Sequence, residues 1–250
     1  MMATFLEAPN DSTLRGYLSL EAEAIPAQVR MQFAENLSQA KAASETVTTR
    51  FFDWAWPDEF DDSRIATIAL WVRAMTAFQG AVILVERGLV AEAQVLIRTG
   101  AECLFFSGAL FREPGLLASM HANDERHRRT QANAIVRDGR LLARISERNA
   151  EFLHQLAAAP DGGISTLTAE RAAHVAGMDD LYQFAFRGYS FTAGHATLRS
   201  LEFVTIEDGD NSGIVFGPTF AHVGQTLDTA ATFFQAADAL LQSLISGWGG

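Results

Sequence analysis

Cysteine is almost absent from this 250-residue chain, since Cys103 is the only one. A single cysteine excludes an intramolecular disulfide, and the apolar surroundings of Cys103 predict a buried, inert thiol. Nothing in the composition therefore requires an oxidising compartment. The N-terminus, MMATFLEAPNDSTLRG, lacks a basic start followed by an apolar core. We therefore expect no signal peptide and a cytoplasmic protein.

Lysine is equally scarce, because Lys41 stands alone among 19 basic residues and the others are arginines. With 30 acidic residues, the formal net charge is −11 at pH 7. This excess of negative charge repels both nucleic acid and anionic membranes, so it disfavours broad binding to either. We expect no membrane partner, and any contact with RNA or a nucleotide would have to be local.

One apolar stretch, residues 65–85, approaches the length of a membrane span. Arg73 and Gln79 interrupt this stretch, and an arginine in the middle of a bilayer is energetically costly. The stretch therefore predicts a buried helix of a helical bundle.

Helical periodicity dominates the chain, as in the stripe Val29, Phe33, Leu37 and Ala40, whose members recur at steps of three and four. Two β-rich runs around a Gly/Asp turn predict a small hairpin at about 201–217. No internal repeat or linker divides the chain. We predict a mainly α, single-domain bundle over residues 1–250, with seven to nine helices, at most one hairpin, and a loosely ordered start, 1–12.

Two charged residues, Arg98 and Glu102, stand four apart on a helix that is otherwise nearly all apolar. Burying two charges is costly unless they are paired and hydrogen-bonded. Either they form a structural ion pair, or they line a polar pocket. In both cases we expect the two side chains to be substantially buried.

A second polar segment is LYQFAFRGYSFTAGH, residues 181–195. Arg187 could bind a phosphate or a carboxylate, and His195 could act as an acid or a base near neutral pH. Alternatively, these residues only tie the segment to its neighbours through hydrogen bonds. We expect the segment to bring Arg187 and His195 towards the turn that carries Arg98 and Glu102.

Four arginines, Arg137, Arg140, Arg144 and Arg148, recur at steps of three and four and predict a stripe along one helix face. Arginine suits phosphate binding, so an RNA or nucleotide surface is one interpretation. The other is a solvated helix face or a set of salt bridges to the acidic remainder.

No metal site or cofactor is expected. The six histidines are scattered, and no pair has the spacing of three or four that places two imidazoles on one helix face. The turn at 208–213 has the alternating oxygen side chains of a calcium loop, but Thr219 stands where that loop needs a bidentate glutamate.

Two segments, AEAQVLIRTGAECLFF (91–106) and AERAAHVAGMDDLYQFAFRGYSFTAGHATLRSLEF (169–203), together resemble an uncharacterised family of bacterial helical proteins. That family is known only as a domain of unknown function. Its pattern is an Arg and a Glu on an apolar helix, followed later by a Tyr, an Arg, a Ser and a His. The resemblance covers roughly residues 70–203 and implies a site, but no activity, at Arg98, Glu102, Tyr182, Arg187, Ser190 and His195.

A looser similarity is to HEPN helical bundles, many of which are ribonucleases in toxin–antitoxin and phage-defence systems. Their pattern is an Arg with a His four to six residues beyond it. The segment RNAEFLH, 148–154, fits this spacing, whereas seven residues separate Arg187 from His195.

These observations lead to two hypotheses for a cytosolic bacterial protein of stress or defence type. The first is metal-independent RNA cleavage, in which Arg187, His195 and Glu102 are catalytic and Arg98, Tyr182 and Ser190 bind the substrate. The second is a non-catalytic interaction or ligand-binding module, with a protein partner or a second copy of the chain, in which the polar residues are structural. The sequence leaves open whether the protein is an enzyme.

Overall fold

The structure, a computed structural model, describes residues 15–57, 59–160, 162–208, 211–214 and 217–248. The described chain is mainly helical, as predicted. Its eleven α-helices are α1 (Ile25–Gln32), α2 (Ala34–Asp53), α3 (Asp62–Glu86), α4 (Val90–Arg112), α5 (Leu116–Arg137), α6 (Gly139–Leu142), α7 (Glu147–Ala158), α8 (Ala169–Ala176), α9 (Asp179–Leu181), α10 (Arg187–Thr192) and α11 (Val223–Trp248).

The expected count of seven to nine helices is wrong, because one segment that the pattern predicts as continuous is interrupted, and another, for which the sequence allows one long helix or two, is divided. Phe33, with φ −121° and ψ 34°, separates α1 from α2. Asp138 ends α5 in an extended conformation, and its carboxylate then caps α6 by accepting a hydrogen bond from the Arg140 backbone N–H. Local hydrogen bonding by an Asp side chain competes with helix continuation, which accounts for this break.

The remaining elements are short. Three 3₁₀ helices cover Gly16–Leu18, Glu21–Ala24 and Leu198–Phe203, and Tyr182–Phe186 form one turn of π-helix between α9 and α10. Strands β1 (Thr205–Asp208) and β2 (Asn211–Ile214) pair antiparallel within 201–217. The start of the chain, 1–12, lies outside the described residues.

The two longest central helices, α3 and α4, begin and end at residues suited to those positions. The Asp61 carboxylate caps α3 by accepting a hydrogen bond from the Arg64 backbone N–H. Gly88 takes the left-handed φ of 74° in the turn between the helices. Pro114, which cannot continue a helix, follows shortly after the end of α4 at Arg112.

Helices α3, α4 and α11 form the core, and α3 packs tightly against α4 at Gly100. A Cβ atom on Gly100 would stand 2.5 Å from Cε1 of Phe78. The Phe78 ring cannot easily move away, because it stacks on Phe233 of α11 with ring centroids 5.1 Å apart and meets Phe234 edge-on. All three phenylalanines are fully buried. The absence of a side chain at Gly100 therefore permits the tight packing of the two helices.

Helix α3 is the one helix in the described ranges that is long and apolar enough to cross a membrane by length and composition. Of its most apolar 18-residue window, 44% is buried against the rest of the chain. The Trp71 side chain, for example, is buried and donates a hydrogen bond to the Ala237 carbonyl of α11. This packing favours the core helix that the sequence predicts.

All four tryptophans of the chain meet at one end of the core. Trp54 stacks on Trp56 at 4.7 Å and lies 6.2 Å from Trp248, while Phe51 joins Trp56 to Trp71. The loop between α2 and α3 is therefore attached to the end of α11 through aromatic contacts, each of which contributes beyond its buried area.

We expect Gly100→Ala to lower the free energy of unfolding by about 1–3 kcal/mol, because the new methyl group overpacks the Phe78 ring. Gly188→Ala is the matched control, since nothing lies within 4 Å of its Cβ position in α10 and alanine favours helix there. Urea unfolding of both variants checks this prediction. A Gly100→Ala protein as stable as the wild type would contradict the close packing.

Candidate functional site

The Arg98 side chain is the centre of a polar arrangement on α4. Its Nε donates a hydrogen bond of 2.8 Å to Oγ of Ser190, and its guanidinium lies over the Phe186 ring, with Cζ 4.6 Å from the ring centroid. Ser190 in turn donates to the Phe186 carbonyl at 2.8 Å. Gly194 packs against this arginine, since an added Cβ would stand 3.2 Å from Cδ of Arg98. Arg98 thus binds α10 to α4 through a hydrogen bond and a cation–π contact.

Glu102 is not the partner of Arg98. Both side chains are half-buried rather than fully buried. Within the described part of the chain, no ion pair joins them and Glu102 accepts no hydrogen bond, while Nε of Arg98 donates to Ser190. The ion pair, one of the two interpretations of these residues, is therefore not formed, and the Glu102 carboxylate stays half-exposed.

The negative charge of the Glu102 carboxylate instead affects the pKa of the neighbouring Cys103 thiol. Burial raises the pKa of Cys103, the Arg73 guanidinium on α3 opposes that rise, and Glu102 adds to it. The raised pKa keeps Cys103 protonated at neutral pH, in agreement with the expected inert thiol.

The π-helical turn places Tyr182 next to this arrangement. Its ring stacks on Phe186 at 5.3 Å with an interplanar angle of 21°, and it meets Phe105 of α4 edge-on. Phe186 therefore lies between the Tyr182 ring and the Arg98 guanidinium. A π-turn inside a helix is rare and occurs often at functional sites.

A second set of polar groups connects α4 to α10 and α11. The buried Gln94 side chain donates to Oγ1 of Thr226 at 3.2 Å and accepts from Oγ1 of Thr192 at 3.0 Å. Tyr189 donates to Oγ1 of Thr229 at 2.9 Å. Burial raises the pKa of the Tyr189 phenol, which is only 8% exposed, and the Thr229 hydrogen bond partly opposes this. These bonds satisfy buried polar atoms and fix the position of α10.

Arg187 and His195 lie apart from this network. The Arg187 side chain is exposed and donates to Oε1 of Gln183, one turn earlier on the same segment, at 3.2 Å. His195 is also exposed and makes no hydrogen bond or ion pair with another described residue. The expected approach of these two side chains to Arg98 and Glu102 is therefore not seen. Of the six predicted site residues, Arg98, Tyr182 and Ser190 are brought together.

The predicted arginine stripe does not lie on one helix. Arg137 ends α5, Arg140 belongs to α6, Arg144 follows α6, and Arg148 is in the first turn of α7. All four side chains are exposed, as expected. Because Asp138 redirects the chain after α5, sequence spacing no longer determines which of these arginines share a surface.

No cluster of three or more His, Cys, Asp or Glu side chains in the described ranges is arranged to hold a metal ion. Part of the turn at 208–213, which resembles a calcium loop in sequence, lies outside those ranges.

A cavity of about 740 Å³ lies beside the π-turn, between α10, α11 and α2. Its apolar wall includes Phe184, which is 83% exposed, and the buried Phe233, and two carboxylates, Asp180 and Asp228, also face it. The Asp228 carboxylate accepts a 2.7 Å hydrogen bond from Asn36. The complete lining is Asn36, Asp180, Leu181, Phe184, Ala185, Tyr189, Gly224, Gln225, Asp228, Thr229, Thr232 and Phe233.

Sequence reasoning missed Gln94 as part of the site. Gln94 carried a usable signal, because it is a polar residue four positions before Arg98 on the same apolar helix, and i, i+4 residues share a face. No sequence signal indicates the cavity, because its walls combine segments that are far apart in the chain.

Together, the fold and the site define a mainly helical protein. Arg98 of its central helix α4 contacts the π-turn at Phe186 and α10 at Ser190. Residues 64–212 match the model of a family of unknown function, DUF5677, and this match covers more than half of the chain. The chain therefore belongs to that family, which confirms the expected uncharacterised helical family. The similarity to HEPN bundles is not shown by this match. A comparison with curated proteins finds no match, and a comparison with solved structures finds none either.

We expect Arg98→Lys to lower the free energy of unfolding by about 1–3 kcal/mol, because lysine cannot keep both the Ser190 hydrogen bond and the flat contact with Phe186. Arg187→Lys is the control, since an exposed substitution changes stability by no more than about 0.5 kcal/mol. Chemical denaturation of both variants measures the difference. Equal stability of the two variants would show that Arg98 does not hold α10 in this way.

Proposed function

We propose that this chain is a non-catalytic ligand-binding module whose site is the cavity beside the π-turn. The observation that carries this proposal is the engagement of Arg98, whose Nε donates to Ser190 and whose guanidinium lies over the Phe186 ring. A side chain bound in this way positions the cavity wall and is poorly placed to act on a substrate. Tyr182 and Ser190 then have the same supporting role.

The lining of the cavity indicates which ligands fit. Its volume falls within the range of about 300–1,000 Å³ that is common for small-molecule sites. Leu181, Phe184 and Phe233 offer apolar surface, while Asp180 and Asp228 bring negative charge and no Lys, Arg or His is among the lining residues. A small ligand with an apolar body and a positively charged amine is therefore complementary to this site.

We also propose that the module works in the bacterial cytoplasm, in a stress or defence response. The net charge of −11 supports the cytoplasm, because it disfavours contact with anionic membranes. The stress or defence role is supported only by the HEPN-like spacing of Arg148 and His154.

The ligand site is tested by filling the cavity from α11. Thr232 is exposed and lines the cavity, so Thr232→Trp should block ligand entry without disturbing the core. We expect aromatic amines to raise the melting temperature of the wild type by about 3–6 °C at a tenfold excess over Kd. Thr232→Trp should abolish this shift, and the corresponding neutral alcohols should give a smaller one.

Thr46→Trp is the matched control for the cavity experiment. Thr46 is also an exposed helical threonine that donates to the carbonyl four residues earlier, as Thr232 does, but it does not line this cavity. Amines should stabilise the Thr46→Trp protein as they do the wild type. The proposal fails if no amine stabilises the wild type, or if Thr232→Trp responds equally well.

RNA cleavage is a second candidate function, and the exposure of Arg187 and His195 is the observation in its favour. Arg187 begins α10 and His195 follows its end, so both side chains are accessible to a phosphate. In this mechanism His195 would transfer the proton and Arg187 would stabilise the charge on the phosphate.

If the chain cleaves RNA, His195→Ala should reduce the rate by about 10²- to 10⁴-fold, which is the range for loss of a general acid or base. His154→Ala is the control, because His154 is also exposed and ends RNAEFLH, the segment that fits the HEPN spacing where Arg187 and His195 do not. Cleavage of a labelled RNA in the presence of EDTA provides the measurement. A wild type without cleavage, or an equal loss in both variants, would dismiss this candidate.

A further inference from the structure

The outer face of α3 carries a stripe of uncharged, exposed side chains, of which Gln79 also donates a hydrogen bond of 3.1 Å to Oγ of Ser44 on α2. Two of its isoleucines, Ile65 and Ile83, are 55% and 57% exposed, and Val72 is 40% exposed. The exposed positions follow one another at steps of four, three, four, three and four residues. This outer stripe consists of Ile65, Ala69, Val72, Thr76, Gln79 and Ile83.

Alternating steps of four and three are the spacing of a coiled-coil seam, in which two helices pack side chains into each other. An exposed face of a soluble helix usually carries charged residues, but no member of the outer stripe is charged. The nearest exposed charge on the helix is Arg73. Its guanidinium lies towards α4, where it opposes the rise in the pKa of the Cys103 thiol.

The outer stripe has the same spacing in both directions, so it is self-complementary in an antiparallel arrangement. A two-fold axis midway between Val72 and Thr76 places Val72 opposite the second copy's Thr76. The same axis places Ile65 opposite the second copy's Ile83. A two-fold interface requires this reciprocity, because each residue must meet its counterpart twice.

Charges at the ends of α3 fit the same arrangement. Asp61 and Arg87 each lie four residues beyond the ends of the outer stripe, and both are exposed. The two-fold axis places Asp61 of one copy opposite Arg87 of the other, which gives two pairs of opposite charge. Arg87 makes no ion pair within the described part of its own chain, and the Asp61 carboxylate is used there only as a helix cap.

Asp62 is also exposed, and the same axis places it opposite the second copy's Glu86, whose negative charge is offset within its own chain by Lys41 and Arg30. Two further charged residues near these ends, Glu86 and Arg64, already have contacts within the chain. Glu86 accepts hydrogen bonds from Lys41 at 2.6 Å and from Arg30 at 3.3 Å. The Arg64 guanidinium lies 5.4 Å from the centroid of the Trp248 ring. They therefore need no partner from a second copy.

A groove between α2 and α3 borders the outer stripe at Gln79 and Ile83. It has a volume of about 450 Å³. In the antiparallel arrangement, Ile65 of the second copy approaches this groove, as a coiled-coil side chain enters the space between facing residues. From spacing, charge and shape together, we propose that α3 pairs antiparallel with α3 of a second copy of this chain. This inference shares no residue with the proposed ligand cavity.

The experiment compares the dimer dissociation constants of full-length variants by sedimentation equilibrium. We expect the wild type to dimerise, and Val72→Glu and Ile83→Glu to weaken the dimer by about a hundredfold, because each places a charge in the seam of both copies. Their helical circular dichroism should remain that of the wild type. Phe152→Glu is the control, since Phe152 is 62% exposed on α7 and lies outside the outer stripe.

Orientation is tested by cross-linking in a Cys103→Ser background. A mixture of Ile65→Cys and Ile83→Cys proteins should form a disulfide-linked heterodimer, whereas Ile65→Cys alone should not link to itself.

Charge exchange adds a second test, because Arg87→Glu should weaken the dimer and Asp61→Lys in the same chain should restore it.

Several outcomes would overturn the proposal. A wild type that stays monomeric at micromolar concentrations contradicts it, including a monomer that instead binds vesicles of anionic lipid through α3. A dimer that survives both Val72→Glu and Ile83→Glu uses another face. Self-linking of Ile65→Cys would show a parallel pairing and would also contradict the inference.

Discussion

The close packing of α3 on α4 at Gly100 is the contact on which the other parts of this structure depend. Phe78 fills the space that a side chain at Gly100 would need, and its ring is held from the far side by Phe233 and Phe234 of α11. Three long helices are thereby joined around one aromatic group. Because α4 is buried by α3 on one side, its other side is available to carry α8, the π-turn and α10.

Helix α4 carries buried and half-buried polar residues along its length, and together they bind three other helices. Ser107 donates to the Thr67 carbonyl of α3, and Gln94 and Arg98 bind residues of α10 and α11 as described above. A buried polar group is costly when it has no partner, so each of these bonds disfavours other arrangements of the neighbouring helices. The polar residues of α4 therefore select one packing, whereas apolar contacts alone would tolerate several.

The parts of the fold that local chemistry determines could be predicted from the sequence. The start of α3 at Asp61, the turn at Gly88 and the end of α4 before Pro114 follow from capping and backbone preferences. The break at Phe33 could not be predicted, because the apolar spacing continues across it. Periodicity identifies the face of a helix that is buried, but not whether the backbone stays helical at each residue.

The candidate site was harder to predict for a related reason. Arg98 and Glu102 share a helix face, so local spacing favoured a pair between them, yet the partner of Arg98 comes from Ser190, far along the chain. Arg187 and His195 are close in sequence to Ser190 but project into solvent. A side chain's partner depends on tertiary packing, which a single sequence does not contain.

The convergence of all four tryptophans has a consequence for how this molecule can be observed. Its tryptophan emission reports on the contact between the α2–α3 loop and the end of α11, and hardly at all on α5 to α7 or the hairpin. Ellipticity at 222 nm, in contrast, averages over every helix. A region that opened independently of the tryptophan end would be invisible to fluorescence, so agreement of the two signals is required before unfolding is treated as one cooperative event.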